Sequence, residues 1–164
     1  MPARTDGVIC NIPVRIADIL DGTSNTILTG DYFGSQQAGF DAFFTAIYAE
    51  LGLSYNPSIF LPFAVMSGGA WSTVPSGSNC LGGYPINIRI PVSAPAGVYT
   101  DVAYFNQVEA GMYGWSSGHA GGVNLVFADG SVHFVSNSVN SNNPLAILYL
   151  STRAGGEIIA SDAY

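Results

Sequence analysis

The chain has 164 residues, 48% of them hydrophobic and 9% charged, and a formal net charge of −7. Its bases are Arg4, Arg15, Arg89 and Arg153, and it has no lysine. This balance sets aside a nucleic-acid partner, which needs a basic footprint, and electrostatic docking on an anionic membrane.

The length suits a single domain, residues 1–164, with no linker or internal repeat dividing it. In chain order, Val14 to Leu20 reads as a short helix or an extended lead-in, ending at Asp21-Gly22. Thr26 to Phe33 reads as a strand. "DAFFTAIYAELG" (41–52) places Phe44, Ile47, Tyr48 and Leu51 at helical spacing, with Asp41 as N-cap and Gly52 just past the end. Residues 54–100 are rich in proline and glycine. Within and beside them, "INIRI" (86–90) and "VYTDVAYF" (98–105) read as short strands. The apolar runs are all far shorter than the ~20 residues that span a bilayer.

The stretch "GHAGGVNLVFADGSVHFV" (118–135) holds both histidines, His119 and His133, and Asp129. Two alternating runs meet at Asp129-Gly130, which predicts a β-hairpin with a two-residue turn. Folded there, Ala128 faces Ser131, Val126 faces His133 and Asn124 faces Val135. Val123, Leu125, Phe127, Val132 and Phe134 then share a core face, and His133 lies on the other. Along a straight strand, His119 and Asp129 are about 30 Å apart. They cannot share a proton or a metal within one subunit. Asp129 and Gly130 read as turn chemistry, and His119 as a loop residue whose binding role would need a partner from elsewhere. Asn143-Pro144 then starts a short, apolar helix that stops at Gly155-Gly156.

Catalysis finds little support. Ser116 and Ser117 lie near His119 without a G-x-S-x-G elbow, and nothing fixes Asp101 beside Glu109. The chain therefore reads as non-enzymatic. "DGTSNT" (21–26) is rich in residues that bond local backbone, the plain reading being a turn. A sharper reading is a calcium site using Asp21 or Asn25 with a distant acid, Asp31 or Glu157. Arg153 and Glu157 are candidates to pair with each other or with an acid of this block. Trp71, Trp115, Tyr113 and Tyr104 are candidates for a surface that stacks on sugars, or for core or interface residues. Cys10 and Cys80 permit one disulfide, closing a loop worth roughly 4 kcal/mol, or two buried thiols; their spacing fits no zinc motif.

His119, nine residues, then Asp129-Gly130 resembles the H-x9-DG signature of a family of prepilin-like secreted proteins, abundant in planctomycete bacteria. "IADILDGTSNTILTGD" (16–31) and "LSTRAGGE" (150–157) resemble two further blocks of that family, in the same order. The resemblance implies an exported, pilin- or pseudopilin-like globular head and no known catalytic residues. Family members begin with a prepilin leader and a long apolar helix. This chain opens on Met1-Pro2-Ala3-Arg4-Thr5-Asp6, so the expectation is a head without that helix.

The sequence thus predicts an α+β head, mostly antiparallel sheet with two short helices. Its expected role is that of an extracellular structural subunit forming a homo-oligomer or filament, since its poverty in charge leaves apolar surface to be covered. The alternative is a secreted carbohydrate-binding or calcium-binding module.

Overall fold

The computed structural model describes residues 7–8, 13–31, 37–55, 84–157 and 159. Cys10, Cys80 and Trp71 lie outside them, and so do the residues that would test a disulfide. Among the described residues the chain is α+β. A three-stranded antiparallel sheet is ordered β1 (Ile27–Gly30), β2 (Gly122–Phe127), β3 (Val132–Ser136). Helices α1 (Gln37–Glu50) and α2 (Val102–Tyr113) intervene between β1 and β2, and the short α3 (Val139–Asn142) and α4 (Ala146–Leu150) follow β3. No described helix is long and apolar enough to cross a membrane.

The lead-in 14–20 forms a single 3-10 turn, Ile16–Asp18. The Asp18 carboxylate accepts from the Arg15 backbone N–H (2.9 Å) and from its guanidinium (2.8 Å). Hydrogen bonds from the Arg15 side chain, and then from its backbone N–H, hold Asp18 down to about 2. A carboxyl depressed in the fold stabilises it above the unfolded pKa of ~3.9. That contribution is lost as pH falls toward 2. An NMR titration of Asp18 is expected to show this low midpoint, and Arg15→Ala to raise it part of the way back, since the backbone N–H of residue 15 still donates to the carboxylate.

Helix α1 starts ahead of the expected N-cap. Asp41 lies inside it and accepts a hydrogen bond from the Tyr55 hydroxyl (3.0 Å). Its end falls as expected, with the Leu53 N–H reaching back to the Tyr48 carbonyl (2.7 Å). The strand expected at 98–105 is instead the entry to α2. The Asp101 side chain accepts from the Tyr104 N–H (2.9 Å) and so caps the helix. Tyr104 and Val108 are buried one turn apart, and with Phe43, Ile90 and Val98 they form one of two cores. Phe43 sits edge-on to Phe44 and Phe105 there.

No strand forms at 86–90. Asn87 has φ +57, which turns the chain out of an extended path. The backbone of Ile86 bonds instead to a side chain. Its N–H donates to Asn140 Oδ1 and its carbonyl accepts from Asn140 Nδ2, both at 2.9 Å. Ile86 and Ile90 still point inward, one into each core.

The hairpin forms where expected, but in another register. Val126 pairs with Val132, Leu125 with His133, and Val123 with Val135. The loop has three residues, Ala128, Asp129 and Gly130, closed by the Phe127 N–H to the Ser131 carbonyl (2.8 Å). Asp129 Oδ1 accepts from the Ser131 N–H (2.8 Å) and hydroxyl (2.7 Å), and Gly130 has φ +87. This is a type I turn followed by a left-handed glycine. One residue of slip turns every side chain of β3 over. Val135 joins the core beside Val123, Leu125 and Phe127, while Val132 (61% exposed) and Phe134 (52%) face solvent. His133 lies on the core side near the tip, edge-on to the Phe127 ring at 4.8 Å.

The left-handed glycine makes a prediction. Gly130→Val is expected to cost about 1–3 kcal/mol from backbone strain alone, because a Cβ there meets nothing within 4 Å. Gly130→Asn is expected to cost less, since asparagine tolerates positive φ. Equal melting temperatures for Gly130→Val and the parent would contradict this turn.

The C-terminal helix begins later than Pro144. Leu145 is the N-cap of α4, and the Asn143 carbonyl accepts from the Ala146 N–H (3.0 Å). Ala146, Ile147 and Leu150 are buried over the sheet with Val139 of α3.

Candidate functional site

The motif residues gather at two joints around the sheet. The first lies at the end of β1. The Asp31 N–H and carbonyl bond to the Asn124 carbonyl (2.9 Å) and the Ser116 N–H (3.1 Å). Asp31 Oδ2 accepts from the Asn124 N–H (2.8 Å) and Nδ2 (3.1 Å). His119 Nε2 stands 3.6 Å from the same oxygen. The partner of His119 is therefore Asp31, from a distant part of the chain, and not Asp129.

Behind this pair is a network that no motif announced. Asn87 Oδ1 accepts from the Ser117 N–H (2.8 Å), and its Nδ2 donates to the Gly122 carbonyl (3.0 Å) and Asn137 Oδ1 (2.8 Å). The Ser117 hydroxyl donates to Gly122 O and accepts from the His119 N–H (3.0 Å). Arg89 Nη2 donates to the Ser117 carbonyl (3.0 Å). Ser116 and Ser117 are buried at 1% and 4% exposure, so neither is presented as a nucleophile. The sequence carried no signal for this network, because Asn87 falls on a polar position of the "INIRI" alternation, where a strand would also place it.

The second joint ties the ends of the described chain together. Asp21 Oδ2 and Oδ1 accept from the N–H groups of Gly155 (2.8 Å) and Gly156 (2.9 Å). The Arg153 carbonyl accepts from the Leu20 N–H (2.6 Å), and Arg153 Nη1 donates to the Gly7 carbonyl (2.6 Å). The Thr152 hydroxyl lies 3.2 Å from Glu157 Oε2 and 3.4 Å from Asp21 Oδ2. Asn25 Nδ2 donates to the Asp21 carbonyl (3.2 Å). The hairpin tip docks on the same loop, with the Asp129 N–H on the Thr23 carbonyl (3.1 Å) and the Ala128 N–H on that of Thr26 (2.8 Å). Hydrogen bonds from Ser131 hold the Asp129 carboxyl below the usual carboxylate range.

Of the four candidate calcium ligands, the structure brings Asp21, Asn25 and Glu157 together and leaves Asp31 at the other joint. No cluster of three or more His, Cys, Asp or Glu forms among the described residues. Both Asp21 oxygens already serve backbone donors. A chelator is accordingly expected to leave the melting temperature unchanged; a drop restored by calcium would assign these oxygens to a cation.

The candidate sugar-binding aromatics do not form one platform. Trp115 is 4% exposed, packed in the core under the sheet. Tyr113 closes α2, with its side chain outside the described set. Tyr104 is buried, yet it helps line a cleft of about 430 Å³ with Ser93, Pro95, Asp101 and Gln107. Burial pushes its hydroxyl pKa up. Asp101 caps α2, and Glu109 accepts from the Tyr84 hydroxyl (3.3 Å), so the two acids have separate tasks.

A model of the family described as a protein of unknown function, DUF1559, matches residues 1–142. The chain belongs to that family. The match takes in the "DGTSNT" and H-x9-DG blocks and stops short of "LSTRAGGE". No curated protein and no solved structure matches the chain. Within this DUF1559 member, then, the recurring blocks are joined by hydrogen bonds. Their charged and polar groups mostly satisfy backbone atoms.

The His119 pair is expected to matter little for folding. His119 is 58% exposed and Asp31 33%, so His119→Ala should cost less than about 1 kcal/mol. Asp31→Ala should cost clearly more, because it leaves the Asn124 N–H without its acceptor. A thermal melt of both variants separates them, and comparable losses would make His119 a structural partner.

Proposed function

We propose that this protein is a non-enzymatic structural subunit, exported from the cytoplasm, that assembles with copies of itself. The observation that carries this reading is apolar exposure on a chain with very little charge. Val132 and Phe134 stand out from β3, and Ile16, Leu20, Val92 and Val102 are each more than 60% or, for Phe134, 52% exposed. Lysine, which commonly guards sheet edges, is absent from the chain. Two further points support the reading. The motif carboxylates are spent on backbone donors, and the blocks resemble those of pilin-like heads.

Association of this kind buries apolar area and not ion pairs, so it is expected to persist from low to high salt. Sedimentation over a range of protein concentrations tests it. A strictly monomeric species at high concentration and moderate salt would end the assembly reading for this chain. The second reading, a carbohydrate module, draws on the cleft beside Tyr104, whose lining includes Ser93, Asp101 and Gln107. It calls for a monomer that is retarded in a glycan gel.

A further inference from the structure

Strand β3 is an edge of the sheet, and its ladder to β2 shows which backbone groups remain for another strand. The bonds from Phe127 N–H to Ser131 O and from Asn137 N–H to Gly121 O frame that ladder. Between them, pairing alternates in the antiparallel manner. Ser131, His133 and Val135 therefore turn their N–H and C=O toward β2. Val132, Phe134 and Ser136 turn theirs to the open side, where no described strand pairs with them.

We infer that two copies of this protein pair through β3, antiparallel, with Phe134 opposite Phe134 of the other copy and Val132 opposite Ser136. The inference rests on the self-association reading and adds its contact and register. Charge selects a second copy as the occupant. The chain carries −7 overall, yet Gly130 to Thr152 contains no Asp, Glu, Lys or Arg. An acidic or basic foreign strand laid on β3 would find no counter-charge there and would lose hydration uncompensated. A neutral strand meets no such cost, and β3 is one. Its outward groups, at 132, 134 and 136, are symmetric about Phe134. A two-fold axis there satisfies all of them at once, with roughly six new backbone hydrogen bonds.

The exposed face fits as well. Val132 and Phe134 lie on the same side of β3, and in this register the two Phe134 rings become neighbours with a Val132 diagonal to each. The face turned outward by the observed register thus becomes the continuous apolar strip of a wider sheet.

Two variants test the register. Phe134→Cys places two Cα atoms about 5.5 Å apart across the axis, within disulfide range. Under mild oxidation it is expected to form a 134–134 link, identified by peptide mass spectrometry, while Val132→Cys, offset by four residues from its own copy, forms none. Phe134→Pro removes an N–H that β2 does not use. It is expected to halve the sedimenting mass of the pair, and to change the melting temperature little at dilutions where the parent is also monomeric, whereas Phe134→Leu keeps the pair. An oligomer that survives Phe134→Pro and yields no 134–134 link overturns this contact but leaves self-association standing. A parent chain that is monomeric at all concentrations overturns both.

Discussion

Replacing Asp21 by alanine is expected to destabilise the fold by about 2–4 kcal/mol. Its carboxylate accepts from the Gly155 and Gly156 N–H groups, both under 3 Å. Hydrogen bonds to a charged acceptor contribute about 1.5–3 kcal/mol each, more than neutral ones. The side chain is only partly buried, which holds the sum toward the lower part of that range. Asp21→Asn keeps one carbonyl acceptor and is expected to lose roughly half as much. Urea denaturation gives the energies, and amide hydrogen exchange gives the location. Gly155 and Gly156 should lose protection in Asp21→Ala while the β2–β3 ladder keeps it. A loss below about 0.5 kcal/mol would mean that the bonds of Arg153, to the Leu20 and Asp21 N–H groups and to the Gly7 carbonyl, suffice to hold the C-terminal block.

Gly122→Val is expected to cost about 3 kcal/mol, the upper part of the usual overpacking range. Strand propensity alone predicts the opposite sign, because valine favours strands and glycine weakens them. The neighbours decide. A Cβ on Gly122 would collide with the Val135 carbonyl and stand 2.6 Å from Phe134 Cζ. The Gly122 carbonyl also accepts from Asn87 and Ser117, so the strand cannot shift to relieve the contact without losing those bonds. Phe134→Ala in the Gly122→Val background should recover part of the loss by clearing the ring, but not the part due to the carbonyl. A stabilised Gly122→Val would show that Phe134 does not lie over β2 and would undo the hairpin register.

Local chemistry alone placed several features of this protein. The Asp129-Gly130 turn, the end of α1 at Gly52, β1 after "DGTSNT" and the separation of His119 from Asp129 all follow from residues within one or two turns of chain. The low charge needed only counting. Even the family was legible, because each of its blocks is a short, unbroken stretch of chain. The tertiary structure decided the rest. The register of β3 depended on a choice between a two-residue and a three-residue loop. Bonds from Asp129 to Ser131, and from the tip to Thr23 and Thr26, settled it. Val98 to Phe105 held too short a window to tell a strand from a helix entry, and the Asp101 cap with burial of Tyr104 and Val108 made it a helix. The extended path at 86–90 gave way to Asn87, whose amide serves three distant partners. The joints between Asp21 and Gly155–Gly156, and between Asp31 and His119, link residues far apart in the chain. Periodicity within a segment carries no record of the segment it will meet, so those contacts exist only once the sheet has brought the blocks together.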